Sequence, residues 1–178
     1  MSQVRVSGNA SGTGIFTIAA PNSNTNRTLT LPDNSGTLIT NATAGTVLQV
    51  VNGTYSTITS NGTTTFADTG LTASITPTSA TSKILVLVNQ SGVYGNVTNS
   101  GVNIRLQRNS SDICIFAIAY AFGAAVILCS ASTSYLDSPA TTSTVTYKTV
   151  FARYGGSGNA VVQGNGDVST ITLLEIAA

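Results

Sequence analysis

Apolar and polar positions alternate at a period of two along most of this chain. The clearest segment is VNIRLQR, residues 102–108, where Val, Ile and Leu fall on one face and Asn, Arg and Gln on the other. A period of two is that of a half-buried β-strand. Turn residues, mainly Gly, Asn, Ser and Pro, separate the alternating segments. The pattern predicts an all-β protein.

The long strands are predicted in the second part of the chain. Eight segments after residue 61 have strand character: 70–75, 83–89, 102–108, 113–122, 125–130, 144–154, 160–163 and 169–176. Eight strands in a domain of this size are typical of a β-sandwich or jelly roll. The first part holds shorter segments with few core residues. We therefore predict an extended β-hairpin attachment segment over residues 1–60 and a jelly-roll-like β-sandwich knob over residues 61–178.

Two of these strands are apolar on both faces. They are KILVLV, residues 83–88, and TITLLEI, residues 170–176. A strand that is apolar on both faces must be covered on both faces. Charged residues make up only 7% of the chain, against roughly a quarter in typical soluble domains, and the net charge is +1. A nearly uncharged surface favours association, so we expect a homo-oligomer.

The segment ICIFAIAYAFGAAVILC, residues 113–129, imitates a membrane span because it lacks charged residues. Its large residues alternate with alanines from residue 116 onward, which predicts a strand rather than a membrane helix. Gly123 interrupts the pattern, which leaves open a second strand or one long strand with a bulge. Small side chains permit close packing, so we expect the alanine face to pack against another sheet or a neighbouring subunit. The predicted interface of the knob is Ala117, Ala119, Ala121 and Leu173.

The sequence lacks the residues that most enzymes and metal sites need. It contains no histidine, which excludes Ser-His-Asp and Cys-His arrangements. Its six acidic residues include no close pair, and its seven basic residues are scattered rather than arranged along a stripe that would bind nucleic acid. We predict no enzymatic activity, no cofactor and no metal. Cys114 and Cys129 are expected to be small buried side chains, although a disulfide stays open.

The stretch RTLTLPDNSGTLIT, residues 27–40, resembles the hairpins in the shafts and virion-proximal segments of bacteriophage fibre and decoration proteins. The segments TPTSATSKILVLV, SYLDSPATTSTVTYKTVFAR and STITLLEIAA are similar to the trimeric knobs of such proteins, which have a tumour-necrosis-factor-like jelly roll. The resemblance implies a homotrimer on the virion surface that contacts the major capsid protein. It implies that the hairpin residues attach to the capsid or to each other around the trimer axis: Phe16, Ile18, Leu29, Leu31 and Leu38.

The brevity of the hairpin segment favours a capsid decoration (cement) protein or head fibre over a long tail fibre. The start of the chain has no apolar segment of a secretory signal, which favours assembly in the host cytoplasm without export. The alternative function is a fibre tip that binds a host surface glycan, with Tyr94, Tyr135 and Tyr154 as its contact residues. Neither function involves a membrane.

Overall fold

The computed structural model describes residues 11–15, 17, 24–26, 44–120 and 129–178, except for the side chain of Ala119. Ile39–Ala178 form one compact unit, and Met1–Leu38 form another. The predicted hairpin residues Phe16, Ile18, Leu29, Leu31 and Leu38 lie outside the described residues, as does Ala121. The fold described below is that of the unit from Ile39 to Ala178.

This unit is a sandwich of two β-sheets, which confirms the predicted all-β class. The described residues contain no α-helix, and a single 3₁₀ turn occupies Gly164–Gly166. The strands, in chain order, are β1 Val47–Tyr55, β2 Thr59–Asn61, β3 Ala67–Ile75, β4 Lys83–Gly95, β5 Gly101–Arg108, β6 Ser111–Tyr120, β7 Cys129–Asp137, β8 Val145–Tyr154, β9 Ala160–Val162 and β10 Ser169–Ile176.

The first sheet has the order β1-β10-β4-β7, and the second has the order β3-β8-β5-β6. All pairings are antiparallel. We call the end of the sandwich where β4 begins the lower end and the opposite end the upper end. Above an irregularity between Gln90 and Val93, β4 pairs with β9, and β9 pairs with β2. These short strands extend the first sheet at the upper end.

Gly92 makes this change of partner feasible. Its φ of +61° is a conformation that side chains rarely adopt, and a Cβ at this position would collide with the backbone of Gly164. The loop that carries Gly164 also carries Gln163. The backbone N–H of Gln163 donates a hydrogen bond of 2.9 Å to the backbone carbonyl of Ser91. The bulge of β4 and the loop after β9 are therefore packed backbone to backbone.

The core consists of two apolar clusters between the sheets. The lower cluster is built around Ile84, Val86, Tyr147 and Leu173. The upper cluster contains Val93, Val102, Ile104, Phe151, Ala160 and Val162. The alternation predicted for β5 is confirmed, because Val102, Ile104 and Leu106 are fully buried while their neighbours are partly exposed.

A layer of fully buried polar side chains separates the two clusters. The hydroxyls of Thr69 and Thr149 lie 2.5 Å apart, and Thr149 donates a 2.9 Å hydrogen bond to Gln90 Oε1. Gln90 and Gln163 each donate to the hydroxyl of Ser169, at 3.0 and 3.2 Å. Because buried polar groups are costly unless they are paired, this chain of bonds stabilises one relative position of the two sheets.

A buried ion pair joins the two sheets at the lower end. Arg108 of β5 donates two 2.9 Å hydrogen bonds from Nη1 to the carboxylate of Asp137 on β7. The hydroxyl of Tyr147 donates a third bond, of 2.6 Å, to Asp137 Oδ2. Burial and this hydrogen bond raise the pKa of Tyr147, so the phenol stays protonated and continues to donate. Loss of Asp137 would leave a partly exposed arginine side chain and a buried phenol without their partner.

Eight of the strands, β3 to β10, coincide with the segments predicted after residue 61 or overlap them, and β2 has no predicted counterpart. The predicted strand 125–130 overlaps β7 only at its start, because β7 continues to Asp137 through the polar sequence STSY. The apolar run that imitates a membrane span forms β6 up to Tyr120, and residues 121–128, with Gly123, lie outside the described residues. No helix in the described part of the chain is long and apolar enough to cross a membrane.

The predicted domain boundary at residue 60 falls inside this unit. β1 pairs with β10 along Val47 to Tyr55, and β2 pairs with β9. The compact unit accordingly begins at Ile39 rather than at residue 61. The first part of the chain has few core residues by sequence, yet β1 supplies the edge strand of the first sheet.

We predict that residues 39–178 fold as a separate protein and that residues 61–178 do not. The shorter fragment loses β1, which leaves β10 as an edge strand and exposes the core residues beneath β1. Thermal unfolding followed by circular dichroism would show a cooperative transition for the longer fragment only. A cooperative transition at the same temperature in both fragments would contradict this role of β1.

Candidate subunit interface

The lower half of the first sheet carries an apolar patch on its outer face. Register pairs Val50, Leu174, Leu85 and Leu136 in a single row across all four strands. Val47 and Ile176 form the row below, which ends at Lys83, and Leu87 lies in the row above. We call these seven aliphatic residues the apolar patch: Val47, Val50, Leu85, Leu87, Leu136, Leu174 and Ile176.

The patch is exposed to solvent in the single chain. Val50 is 59% exposed and Leu136 is 54% exposed, at opposite edges of the sheet. Seven positions, in strands about 4.8 Å apart and rows about 6.7 Å apart, give the patch an area of about 200 Å². Its upper row is mixed, because Leu87 shares it with Asn52, Thr172 and Ser134. Contiguous apolar patches on protein surfaces are often functional.

The upper half of the same face is polar. Its rows contain Asn52, Thr54, Asn89, Ser132, Ser134, Thr170 and Thr172. These side chains bond to one another across the strands, as when Asn52 donates to the Thr172 hydroxyl at 2.8 Å and Ser132 donates to Asn89 Oδ1 at 2.9 Å. The polar side chains of the upper half thus bond to one another. The candidate interface is therefore the lower, apolar half of this face.

The expectation that β4 and β10 are apolar on both faces agrees with the structure. Ile84, Val86 and Val88 point into the core, whereas Leu85 and Leu87 point outward. Sequence reasoning missed Val50 and Leu136, and Leu136 stands in a strand that is otherwise polar on its outer face. The cross-strand register, which joins them to Leu174 and Leu85, is the signal that identifies them.

Leu173 lies on the inner face of β10, whereas its predicted role in the subunit interface requires the outer face. Its side chain is fully buried in the chain's own lower cluster, so a contact with another subunit falls to its outward neighbour Leu174. Ala117 likewise packs against the upper cluster of its own chain. The side chain of Ala119 and the whole of Ala121 are outside the described residues.

A bulge in β6 explains why its alanine face turns inward at Ala117. Ile115 pairs with Arg105 and Ala117 pairs with Ile104, so Phe116 is an extra residue in the ladder. Phe116 packs against the core, while Ile118, which alternation would place on the same face, is 54% exposed. Strict alternation therefore breaks at the one residue where the strand bulges.

The three tyrosines predicted for a glycan site do not come together. Tyr135 faces inward and packs against the lower cluster. Tyr94 follows the inward-facing Val93 at the upper end of the first sheet. Tyr154 is on the second sheet, where its ring meets that of Tyr120 edge to face with centroids 6.3 Å apart. Only Tyr154 among the three is strongly exposed.

A buried carboxylate lies at the lower end, close to the apolar patch. Gln49 Nε2 donates to Glu175 Oε2 at 2.6 Å, and the amide and hydroxyl of Thr78 donate to Oε1 at 2.7 and 2.8 Å. Burial alone would raise the pKa of Glu175, but the hydrogen bonds from Gln49, Ser82 and Thr78 outweigh it and lower this pKa to about 2. The group ties β1, β10 and the loop before β4 together.

A cleft of about 540 Å³ at the lower end is lined by Thr46, Val47, Leu48, Thr78, Ser79, Thr81, Ser82, Ala177 and Ala178. No titratable side chain lines it. Within the described part of the chain, no three His, Cys, Asp or Glu residues lie close enough to hold a metal ion.

No protein-family model matches the chain, and no curated protein sequence matches it.

We predict that the neighbours Leu173 and Leu174 differ in their contribution to the fold. Leu173→Ala should lower the free energy of unfolding by about 2–5 kcal/mol, because it opens a cavity in the core. Leu174→Ala should cost less than about 1.5 kcal/mol in dilute solution, since its side chain is already partly in water. Urea unfolding at low protein concentration measures both values. Equal losses would contradict the assignment of the two faces.

We also predict acid destabilisation through Glu175. Its folded-state pKa of about 2 lies below the ordinary value of 4.5, so its stabilisation is complete above pH 4.5 and is lost as pH falls toward 2. Over that range the wild-type chain should lose on the order of 2–3 kcal/mol more than Glu175→Gln. Asp167→Asn, which removes an exposed carboxylate, is the control. Parallel pH profiles of wild type and Glu175→Gln would contradict this role.

Proposed function

We propose that this chain is a structural protein of a bacteriophage virion, a homotrimeric capsid decoration (cement) protein. In this proposal its β-sandwich is the knob that projects from the capsid surface. The observation that supports the proposal most is the apolar patch, because a contiguous exposed apolar patch is often a functional surface. The low charge of the chain removes the repulsion that would oppose such contacts.

The strand order supports the jelly-roll part of the proposal. Sheets ordered β1-β10-β4-β7 and β3-β8-β5-β6 arise when the long strands cross from one facing sheet to the other at each connection except the β5–β6 hairpin, as they do in a jelly roll. Jelly rolls of this kind are frequent in viral capsid and lectin domains. The fold alone does not assign a function, and the resemblance of residues 27–40 to virion hairpins supplies the virion context.

The proposed mechanism is adhesive. Contacts between the N-terminal segment and neighbouring capsid subunits would exist only in the assembled shell. A partner that binds only the assembled state stabilises that state by mass action. Trimerisation multiplies the effect, because three linked attachment segments bind with a high effective concentration once the first is bound.

A second candidate function is receptor binding by a fibre tip. The exposed Tyr154 and its partner Tyr120 favour it, because paired aromatic rings at the loop end of a sandwich can contact a glycan. The number of copies per particle separates the two functions. In particles that contain this protein, quantitative mass spectrometry against the major capsid protein would give hundreds of copies for decoration and a few trimers for a tail fibre.

We predict that the wild-type protein sediments as a trimer at micromolar concentration and that Val50→Lys dissociates it. The new charge would have to be buried in an apolar contact, which costs several kcal/mol. Asn52→Lys is the matched control, since it places the same charge on the same strand and face but in the polar half. Analytical ultracentrifugation measures all three. A stable folded wild-type monomer would contradict the proposal.

A further inference from the structure

The first sheet has a gap where β4 changes partners. β10 pairs with β4 up to Asn89, and β9 pairs with β4 from Tyr94 onward. Residues 90–93 of β4 pair with neither of these strands. We call this region the sheet gap. Because buried backbone groups need hydrogen-bond partners, side chains and loop backbone must replace the missing ladder there.

Ser91 shows how the sheet gap is filled. Its backbone N–H donates to the hydroxyl of Ser169 at 3.0 Å, and its carbonyl accepts the 2.9 Å hydrogen bond from the N–H of Gln163. Ser169 is the first residue of β10, and Gln163 directly follows β9. Both residues are fully buried. They therefore take the place of a partner strand at Ser91.

The hydroxyl of Ser169 receives more hydrogen bonds than it can accept. Its three donors are the N–H of Ser91 and the side-chain amides of Gln90 and Gln163, at 3.0, 3.0 and 3.2 Å. A hydroxyl has two acceptor lone pairs and one proton of its own to donate. Turning the Gln163 amide over exchanges its oxygen and nitrogen. The Ser169 hydroxyl then accepts two hydrogen bonds and donates the third, which satisfies it completely.

The other end of the Gln163 amide has no partner among the described residues in either orientation. That end is Oε1 when Nε2 donates to Ser169, and this buried oxygen accepts no hydrogen bond. After the amide is turned over, Nε2 occupies the same position. A buried polar atom without a partner is strongly unfavourable. The backbone of Gln163 also has a φ of +55°, a conformation that glycine adopts with less strain.

We infer that the sheet gap binds one buried water molecule, hydrogen-bonded to the free end of the Gln163 amide. Water fits either orientation of the amide, because it both donates and accepts. A metal cation does not fit, since both lone pairs of the Ser169 hydroxyl are occupied by N–H donors. Buried waters in proteins typically bond to buried polar groups that lack a protein partner. The inference concerns the single chain and is independent of the proposed trimer.

The position of this water gives it a structural role. Gln163 contacts β4 through its backbone and β10 through its side chain. A water held by the same side chain would complete the hydrogen bonds at the point where β4 passes from β10 to β9. The stability of the upper end should therefore depend on the amide of Gln163, although only one of its two ends has a protein partner.

Two variants of the full chain test this dependence. Gln163→Met keeps the length of the side chain and removes both polar ends. With water bound, it should lower the equilibrium constant for folding about tenfold, because the amide's bonds to Ser169 and to the water are lost. Gln90→Met is the matched control in the same polar layer. Both ends of its amide have protein partners, so it should be destabilised with or without a water. Urea unfolding measures both variants.

An empty site gives a different result for Gln163→Met alone. Removal of an unsatisfied buried amide end is neutral or stabilising. A Gln163→Met chain as stable as wild type, beside a destabilised Gln90→Met chain, would therefore overturn the inference.

Nuclear magnetic resonance of the wild-type chain detects the water directly. The side-chain amide protons of Gln163 should give a nuclear Overhauser cross-peak to water with the sign of a long-lived bound molecule, and a rotating-frame spectrum distinguishes it from proton exchange. Absence of this cross-peak overturns the inference even if Gln163→Met is destabilised. If Gln163→Met does not fold, the spectra of wild type decide alone.

Discussion

The arrangement of this protein depends on the need to cover both faces of the β4–β10 pair. These two strands form the centre of the first sheet, and their inner side chains, among them Ile84 and Leu173, hold the lower core together. Their outer side chains are aliphatic as well. The second sheet covers the inner face of these strands. Nothing in the described part of the chain covers the lower half of their outer face. The two sheets therefore form a complete sandwich core, while the lower half of the outer face of the first sheet stays exposed.

The polar elements of the core restrict how the two sheets can move against each other. The Thr69–Thr149–Gln90–Ser169 chain and the Arg108–Asp137–Tyr147 cluster both connect one sheet to the other. Apolar clusters tolerate small shifts, whereas buried hydrogen bonds are lost when their geometry changes. These bonds therefore fix the angle between the two sheets, and with it the position of the apolar patch relative to the second sheet.

The sequence predicted the parts of this structure that follow from local alternation. β5 and β8 were assigned nearly to their ends, and β5 shows a regular period of two. What it could not predict depends on residues distant in the chain. The apolar patch requires the register that places Val50 beside Leu174 and Leu85 beside Leu136. β2 is only three residues long and exists because β9 is available to pair with it. The membership of β1 in the sandwich is likewise decided by β10.

Irregular residues account for the remaining differences between the predicted and the observed structure. They lie at the border of exposed apolar side chains. The bulge at Phe116 turns Ala117 inward and Ile118 outward. A residue predicted for the subunit interface therefore lies in the core, and a residue on the predicted bulky face lies at the surface. The same bulge leaves β6 unsuited to regular pairing with another strand, because bulges interrupt the ladder that an added strand would need. β7 pairs with β4 without interruption from Ala131 to Asp137. The regular strand β7 and the bulged strand β6 therefore differ as sheet edges, and the ladder at β6 is the one that an added strand could not continue.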